Sequence, residues 1–461
     1  MGVAGLIGVV MLAVIAGFIF TRPYGWAAPA RLAFSYVAGL GLITLQMFFY
    51  SLLSIRYGMA VIALPWAVAL IASAYLFKRR GYSAQDGIAT EFAGLSAVEW
   101  AATAIIAAQA VFAVVNSVML PIKGFDAWVI WLLKGQAFYI DKGVSYAFFL
   151  NGVYSNGNLS YQYPLSIPLA ATLGYLGMGQ VDDQAVKLLF SLYFVALIPA
   201  AYYFLRGITS REGSLILLAM LVTVPRMMQQ AGLDGVGYAD LPLSVYFLGA
   251  GGFGYRYIQG RDKMDFLAAI FFMSLGAWVK NEGLTLLASG ACLLSAYAIY
   301  ADKRKGAGLA IIAAAIILVI VLPWQLYKSA LPEISGTMMS GLSAGSMLRN
   351  ASRLPVIWKT IGPKLFTANK YHLTWPLYIL SAVVSRKRFK ELPYLFLNAI
   401  IILQFAVYIF VYMITAFDMV PQIDTSFDRL TIHLIPLVYL SIGAAWTDLF
   451  GRDKTAAPIT P

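Results

Sequence analysis

Among 461 residues there is one cysteine, Cys292, and two histidines, His372 and His433. A single thiol builds no disulfide scaffold, and these three side chains fall short of the four ligands of a structural zinc site. Charge is scarce too: 12% of residues are Asp, Glu, Lys or Arg, about half the share of a soluble domain. Low-complexity linkers, coiled-coil heptads and internal repeats are also missing. Disordered tails, solenoids and ordinary cytosolic enzymes are thereby set aside. What the chain has in abundance is apolar surface, 61% of all residues.

Crossing about 30 Å of hydrocarbon takes about 20 apolar residues. Thirteen apolar runs lie near 3–20, 32–54, 60–77, 98–118, 185–205, 213–227, 241–257, 264–279, 284–301, 309–327, 371–385, 392–414 and 433–449. The pattern predicts an all-α polytopic membrane protein of about 13 spans. Basic clusters punctuate the runs: Lys78-Arg79-Arg80, Arg256 with Arg261 and Lys263, Lys303-Arg304-Lys305, Arg386-Lys387-Arg388, and Arg452 with Lys454. The positive-inside rule assigns them to the cytoplasm. Their parity holds if Tyr163–Met178, short and carrying Pro164 and Pro168, is an interfacial or re-entrant helix. The expected topology is multi-pass in a plasma membrane, N-terminus outside and C-terminus cytoplasmic. A three-span extension (1–97), a main membrane module (98–449) and a short tail (450–461) make up the chain. Most of the +12 net charge is then an orientation signal with a weak pull towards anionic lipid. Nucleic acid is not an expected partner; the membrane is.

Sizeable loops (about 119–184, 328–370 and 415–432) all fall on the outer side, so chemistry is expected there. Acidic residues gather at the outer ends of spans: Asp126 after the fourth, Asp234 and Asp240 before the seventh, Lys280-Asn281-Glu282-Gly283 between the eighth and ninth, and Asp428-Arg429 with His433 at the last. A carboxylate at the rim of hydrocarbon is costly unless paired or hydrated, so four such clusters on one face predict a shared polar cavity. A transporter would instead place charge at mid-span, where this sequence has none. Group transfer on an outer face draws on a lipid-linked donor. It needs a carboxylate to take the proton of the attacking hydroxyl and cations to neutralise the departing phosphate. Asp126 or Asp240 suits the first role, Arg429 and Lys280 the second.

The order of these motifs resembles the GT-C superfamily of integral-membrane glycosyltransferases. Within it, the closest likeness is to the branch of dolichyl-phosphate-mannose–protein mannosyltransferases and lipid A aminoarabinose transferases. Four features carry it: Asp126 with Trp128, Trp131 and Tyr139; Tyr163-Pro164; Gly237–Leu243 followed by Lys280–Gly283; and Asp428-Arg429-Leu430. The resemblance implies a GT-C-like fold and an inverting transfer of one sugar from a polyprenyl-phosphate donor to a glycan, lipid or protein acceptor. It implies Asp126 as catalytic base and Arg429, with Lys280, on the donor phosphate. Asp240 and Glu282 would be polar ligands in the cavity. Two departures stand out. Many members carry a second acid after the first-loop Asp, where this chain has Ala127, and three additional spans precede that loop.

His433 lies four residues after Arg429, on the same helical face, and is a further candidate for the donor phosphate. Asp234, Tyr163 and Trp128 are candidates for the cavity wall. Should Asp126, Asp240 and Glu282 converge, their hard oxygens suit Mg2+ or Mn2+. The stretch from Asp126 to Tyr139 has the pattern of an amphipathic surface helix with Lys134 at its edge. Gly249–Gly254 reads as close helix packing. Two other functions fit the same outer face: a polymerase or ligase of lipid-linked glycans, kept open by Arg349 and Arg353 in the 328–370 loop, and a lipid or glycan flippase.

Overall fold

The computed structural model describes residues 2–78, 94–150, 162–331 and 350–450. Arg79-Arg80, Arg452, Lys454 and Arg349 lie outside them, as does residues 332–349 of the second large loop. Every described element is helical. Seven helices are long and apolar enough to cross a membrane, and two bent pairs raise the number to nine among the described residues. This is a helical multi-pass membrane protein.

Each of the thirteen apolar runs is helical, but four fall short of a full span by length or composition. Thr374–Val384 and Ile435–Ala445 have 11 residues each, about 16 Å at 1.5 Å per residue. Lys263–Val279 has 17. Asp240–Gly260 is long enough but rich in glycine and tyrosine. Two other runs break near a proline: Arg211–Val222 turns by 67° into Pro225–Gly232, and Lys303–Ile320 by 44° into Leu322–Ser329. A proline ring cannot donate to the helical ladder and disfavours helix in the residue before it.

The helices sort into a ring and a centre. Only 11% of the most apolar window of the 59–78 helix is buried, 22% in Ala97–Met119 and 28% in Glu282–Ala301. Their exposed residues, Leu64, Ile71 and Val111 among them, are the lipid-facing surface such a protein needs. Ala28–Leu52 and Asp183–Arg206 are 78% and 67% buried. Innermost is Asp240–Gly260, packed against Lys263–Val279, Asp183–Arg206, Leu392–Ile414 and Ile435–Ala445. Its glycines let large rings approach: a Cβ at Gly252 would meet the Phe204 ring, and one at Gly249 the ring of Phe272. The expectation of close packing at 249–254 is met.

Asp240–Gly260, Lys263–Val279 and Glu282–Ala301 run antiparallel in sequence. One end of this trio therefore holds Asp240, Lys280 and Glu282. The other holds Arg256 bound to Asp265 and Arg261 beside Tyr297. The Ala97–Met119 helix opens with a capping box, Ser96 and Glu99 exchanging bonds with each other's backbone N–H, and Glu99 also binds Arg211.

Between Asp126 and Tyr139 the structure corrects the expected surface helix. Ala127–Leu132 is a π-helical stretch, followed by Leu133–Asp141. Lys134 is wholly buried, because the Ser166–Met178 helix lies across this segment, with Gly135 against Pro168 and Ala171. Burial pushes the Lys134 ammonium down to about 7.

Candidate functional site

Three helix ends and one turn bring the acidic clusters together. Asp240 opens its helix and is enclosed by polar groups. Its Oδ1 lies 2.6 Å from Lys280 Nζ and 3.0 Å from His433 Nε2, and Oδ2 accepts from the Gln230 amide at 3.2 Å. The carbonyl of that amide accepts in turn from the Leu241 backbone N–H at 2.9 Å. Lys280, held in the break between two helices, also pairs with Glu282 at 2.9 Å. The side chains of Asp240, Lys280 and His433 are 3%, 4% and 0% exposed, and that of Glu282 is 19%. Burial works against the Lys280 charge, but Asp240 and Glu282 outweigh it and hold the ammonium above its ordinary range.

His433 has a protein partner on each ring nitrogen. The Asp240 carboxylate only accepts, so Nε2 carries the hydrogen, and Nδ1 faces the Tyr408 hydroxyl at 2.9 Å. A direct phosphate contact, expected from the spacing to Arg429, does not fit: both nitrogens are engaged and the ring is buried. His433 instead fixes Asp240.

The second half of the site is the ion pair between Arg429 and Asp126, which joins two residues 303 positions apart. These side chains are more open, 26% and 23% exposed. Arg429 also lies over the Tyr238 ring, 5.2 Å from its centroid. The approach depends on two glycines. Gly237 has φ +95°, a left-handed conformation that leads the turn towards Asp240, and a Cβ on Gly124 would run into Tyr238. Burial disfavours the Arg429 charge, yet Asp240 and Asp126 hold it firmly protonated. Among the described residues its Nε has no acceptor, and Glu282 Oε2 has no donor. Both are buried polar atoms with bonding capacity left over.

Tyr163 belongs to this cluster: it packs against Trp131 at 5.3 Å and faces Lys280, whose Nζ is 5.8 Å from its ring. Trp128, in the π-helical stretch, is 59% exposed. Asp234 is exposed in the turn after Pro225–Gly232 and lines a neighbouring cavity. Asp126, Asp240 and Glu282 form no three-ligand metal cluster among the described residues. Each carboxylate faces a cation of the protein instead.

Three participants carried no sequence signal. Gln230, Tyr408 and Gln404 lie in or beside apolar runs, and Gln404 donates to the Glu282 carbonyl at 3.2 Å. A polar residue amid apolar neighbours was the one available hint.

No family model, curated protein or solved structure matches this chain. Its chemistry is read from its own geometry.

Proposed function

We propose that this protein is a glycosyltransferase of GT-C type. It moves one sugar, with inversion, from a polyprenyl-phosphate donor to a glycan, lipid or protein acceptor on the extracytoplasmic face. The observation that carries this reading is the half-open Arg429–Asp126 pair set beside the buried Asp240–Lys280–Glu282–His433 network.

The two halves suit different tasks. Arg429 retains an unpaired Nε and enough exposure to meet a ligand. A donor phosphate arriving there competes with Asp126 for the guanidinium. Released from that pair, the Asp126 carboxylate becomes a stronger base towards the acceptor hydroxyl. The hydroxyl oxygen attacks the anomeric carbon, its proton passes to Asp126, and the bond from that carbon to the phosphate oxygen breaks with its electrons on the phosphate. Arg429 neutralises the charge that develops. Lys280 contributes field from behind, because its own bonds are spent on Asp240 and Glu282. Glu282 Oε2 and Tyr163 offer polar and aromatic contact to the sugar.

In this proposal the chain crosses the bilayer thirteen times with the site outside. The three helices below full-span length and the glycine-rich Asp240–Gly260 complete the count beside the seven full spans and two bent pairs. A divalent ion, Mg2+ or Mn2+, enters only as a companion of the donor phosphate near Glu282. Activity surviving exhaustive chelation removes it from the scheme.

Lipid mass spectrometry tests the reading. Purified protein in proteoliposomes, given sugar-loaded polyprenyl phosphate and an acceptor extract, should leave free polyprenyl phosphate. A flippase moves the lipid with its mass unchanged, and a polymerase or ligase turns over only a glycan-loaded polyprenyl diphosphate, supplied in a parallel incubation, and leaves the lipid diphosphate. Either result, or no turnover with any sugar donor, would remove the proposal.

A further inference from the structure

Next to the central site lies a cavity of about 550 Å3. It is bounded by the 120–123 segment, the Pro225–Gly232 helix with its following turn, and the Ala368–Tyr371 helix. Three cations line it, Lys123, Arg226 and Lys370, against one carboxylate, Asp234. The sequence gives no sign of this convergence, since the three basic residues come from distant segments.

Two of the cations are fixed from behind. Asp428 receives Arg226 at 2.5 Å, Lys370 at 2.7 Å and the Tyr371 hydroxyl at 3.1 Å. Burial works against the Asp428 charge, but Lys370 and Arg226 hold the carboxyl below its usual range. Arg226 still has a buried Nε without an acceptor among the described residues. Lys123 makes no ion pair or side-chain hydrogen bond among the described residues. The amides of Gln229 and Asn369 line the same space, and Leu120 and Leu233 give it an apolar lip.

We propose that this cavity binds a phosphate group, distinct from the donor phosphate assigned to Arg429. The chemistry is that of an anion with several acceptor oxygens: two prepositioned cations, a third with no partner among the described residues, and nearby amides. Asp234 on the same wall disfavours a polyanion and suits one phosphate. The volume exceeds what the bare ion fills, so the group arrives on an organic substituent. A phospholipid headgroup and a soluble phosphate ester share this chemistry.

The test uses the full-length protein in a neutral maltoside detergent, with Lys123→Gln as the principal variant because that side chain is exposed and unpartnered. In one arm, inorganic phosphate is titrated calorimetrically. In the other, native mass spectrometry counts phosphatidylglycerol and phosphatidylcholine retained after exchange. Loss of one charged hydrogen bond should weaken binding about tenfold or more, with the melting temperature unchanged. Phosphatidylglycerol retained over phosphatidylcholine, and lost in the variant, supports a lipid headgroup. Phosphate binding weakened in the variant without lipid preference supports a soluble ester. If phosphate does not bind and both lipids are retained equally by both proteins, the site is overturned. Arg226→Lys, which keeps the charge but loses Nε, should weaken the same ligand. Asp126→Asn should leave it bound, so failure here and failure of the transferase reading are separable.

Discussion

A lysine ammonium withdrawn from water persists where negative charge surrounds it, and Lys280 has Asp240 on one side and Glu282 on the other. Asp126 is different. Its side chain is 23% exposed, and in the proposed role of general base it should account for about 100- to 10,000-fold of the rate. Asp126→Asn keeps its shape and removes the base, so transfer should fall by that factor while detergent-solubilised protein elutes unchanged. Transfer at the unaltered rate would strip Asp126 of the role. Asp428 gives a pH prediction. Its carboxyl titrates lower in the folded protein than in the unfolded chain. The stabilisation is thus fully present above the unfolded value of about 4 and is lost as pH falls through the folded one. The melting temperature should hold steady from neutrality to about pH 5 and drop below about pH 4. Asp428→Asn should be less stable at neutral pH and lose part of that acid dependence.

Helices in this protein meet where side chains are smallest. Gly2–Thr21 and Ala28–Leu52 cross so closely that a Cβ on Gly17 would collide with the Ser35 carbonyl, and one on Gly39 with that of Ala13. Gly39→Ala should therefore lower the melting temperature in detergent, by an amount typical of overpacking at about 1–3 kcal/mol. Gly8→Ala, with open space around it, should not. At this scale the sequence was readable as far as composition allows. Apolar runs marked the long helices but not the shorter ones at Leu354–Leu365 and Met419–Ile432, and the breaks at Pro225 and near Pro323 fall inside runs that read as single spans. Run length alone overstated the spans at 371–385 and 433–449, where the helices stop after 11 residues. The site was legible in its acids, because Asp126, Asp240 and Glu282 at helix ends have few reasons to be there. Arg226 and Lys370 were not legible: their partner Asp428 is 202 and 58 residues away, and no local pattern encodes a meeting set by the packing of whole helices.

Viewed end to end, the molecule is polarised. Asp240, Lys280 and Glu282 sit at one end of the central helices, and Arg256, Asp265 and Arg261 at the other. Under the proposed orientation, an impermeant maleimide applied to intact cells should label Asp141→Cys but not Lys303→Cys, both placed in a Cys292→Ala background. Labelling of Lys303→Cys alone would invert the topology and put the site in the cytoplasm.

Asp428 and Arg429 are consecutive on the Met419–Ile432 helix, about 100° apart around its axis. One is anchored to the cations of the phosphate cavity and the other to Asp126. The helix thus carries both grips, and a turn of it as one body would move both together. Any coupling between the two chambers is reciprocal and adds to the binding in each without deciding whether either is occupied. A double-mutant cycle on stability between Lys370→Met and Asp126→Asn reads this directly. A coupling energy above about 0.5 kcal/mol would show the two grips coupled, and simple additivity would show them independent.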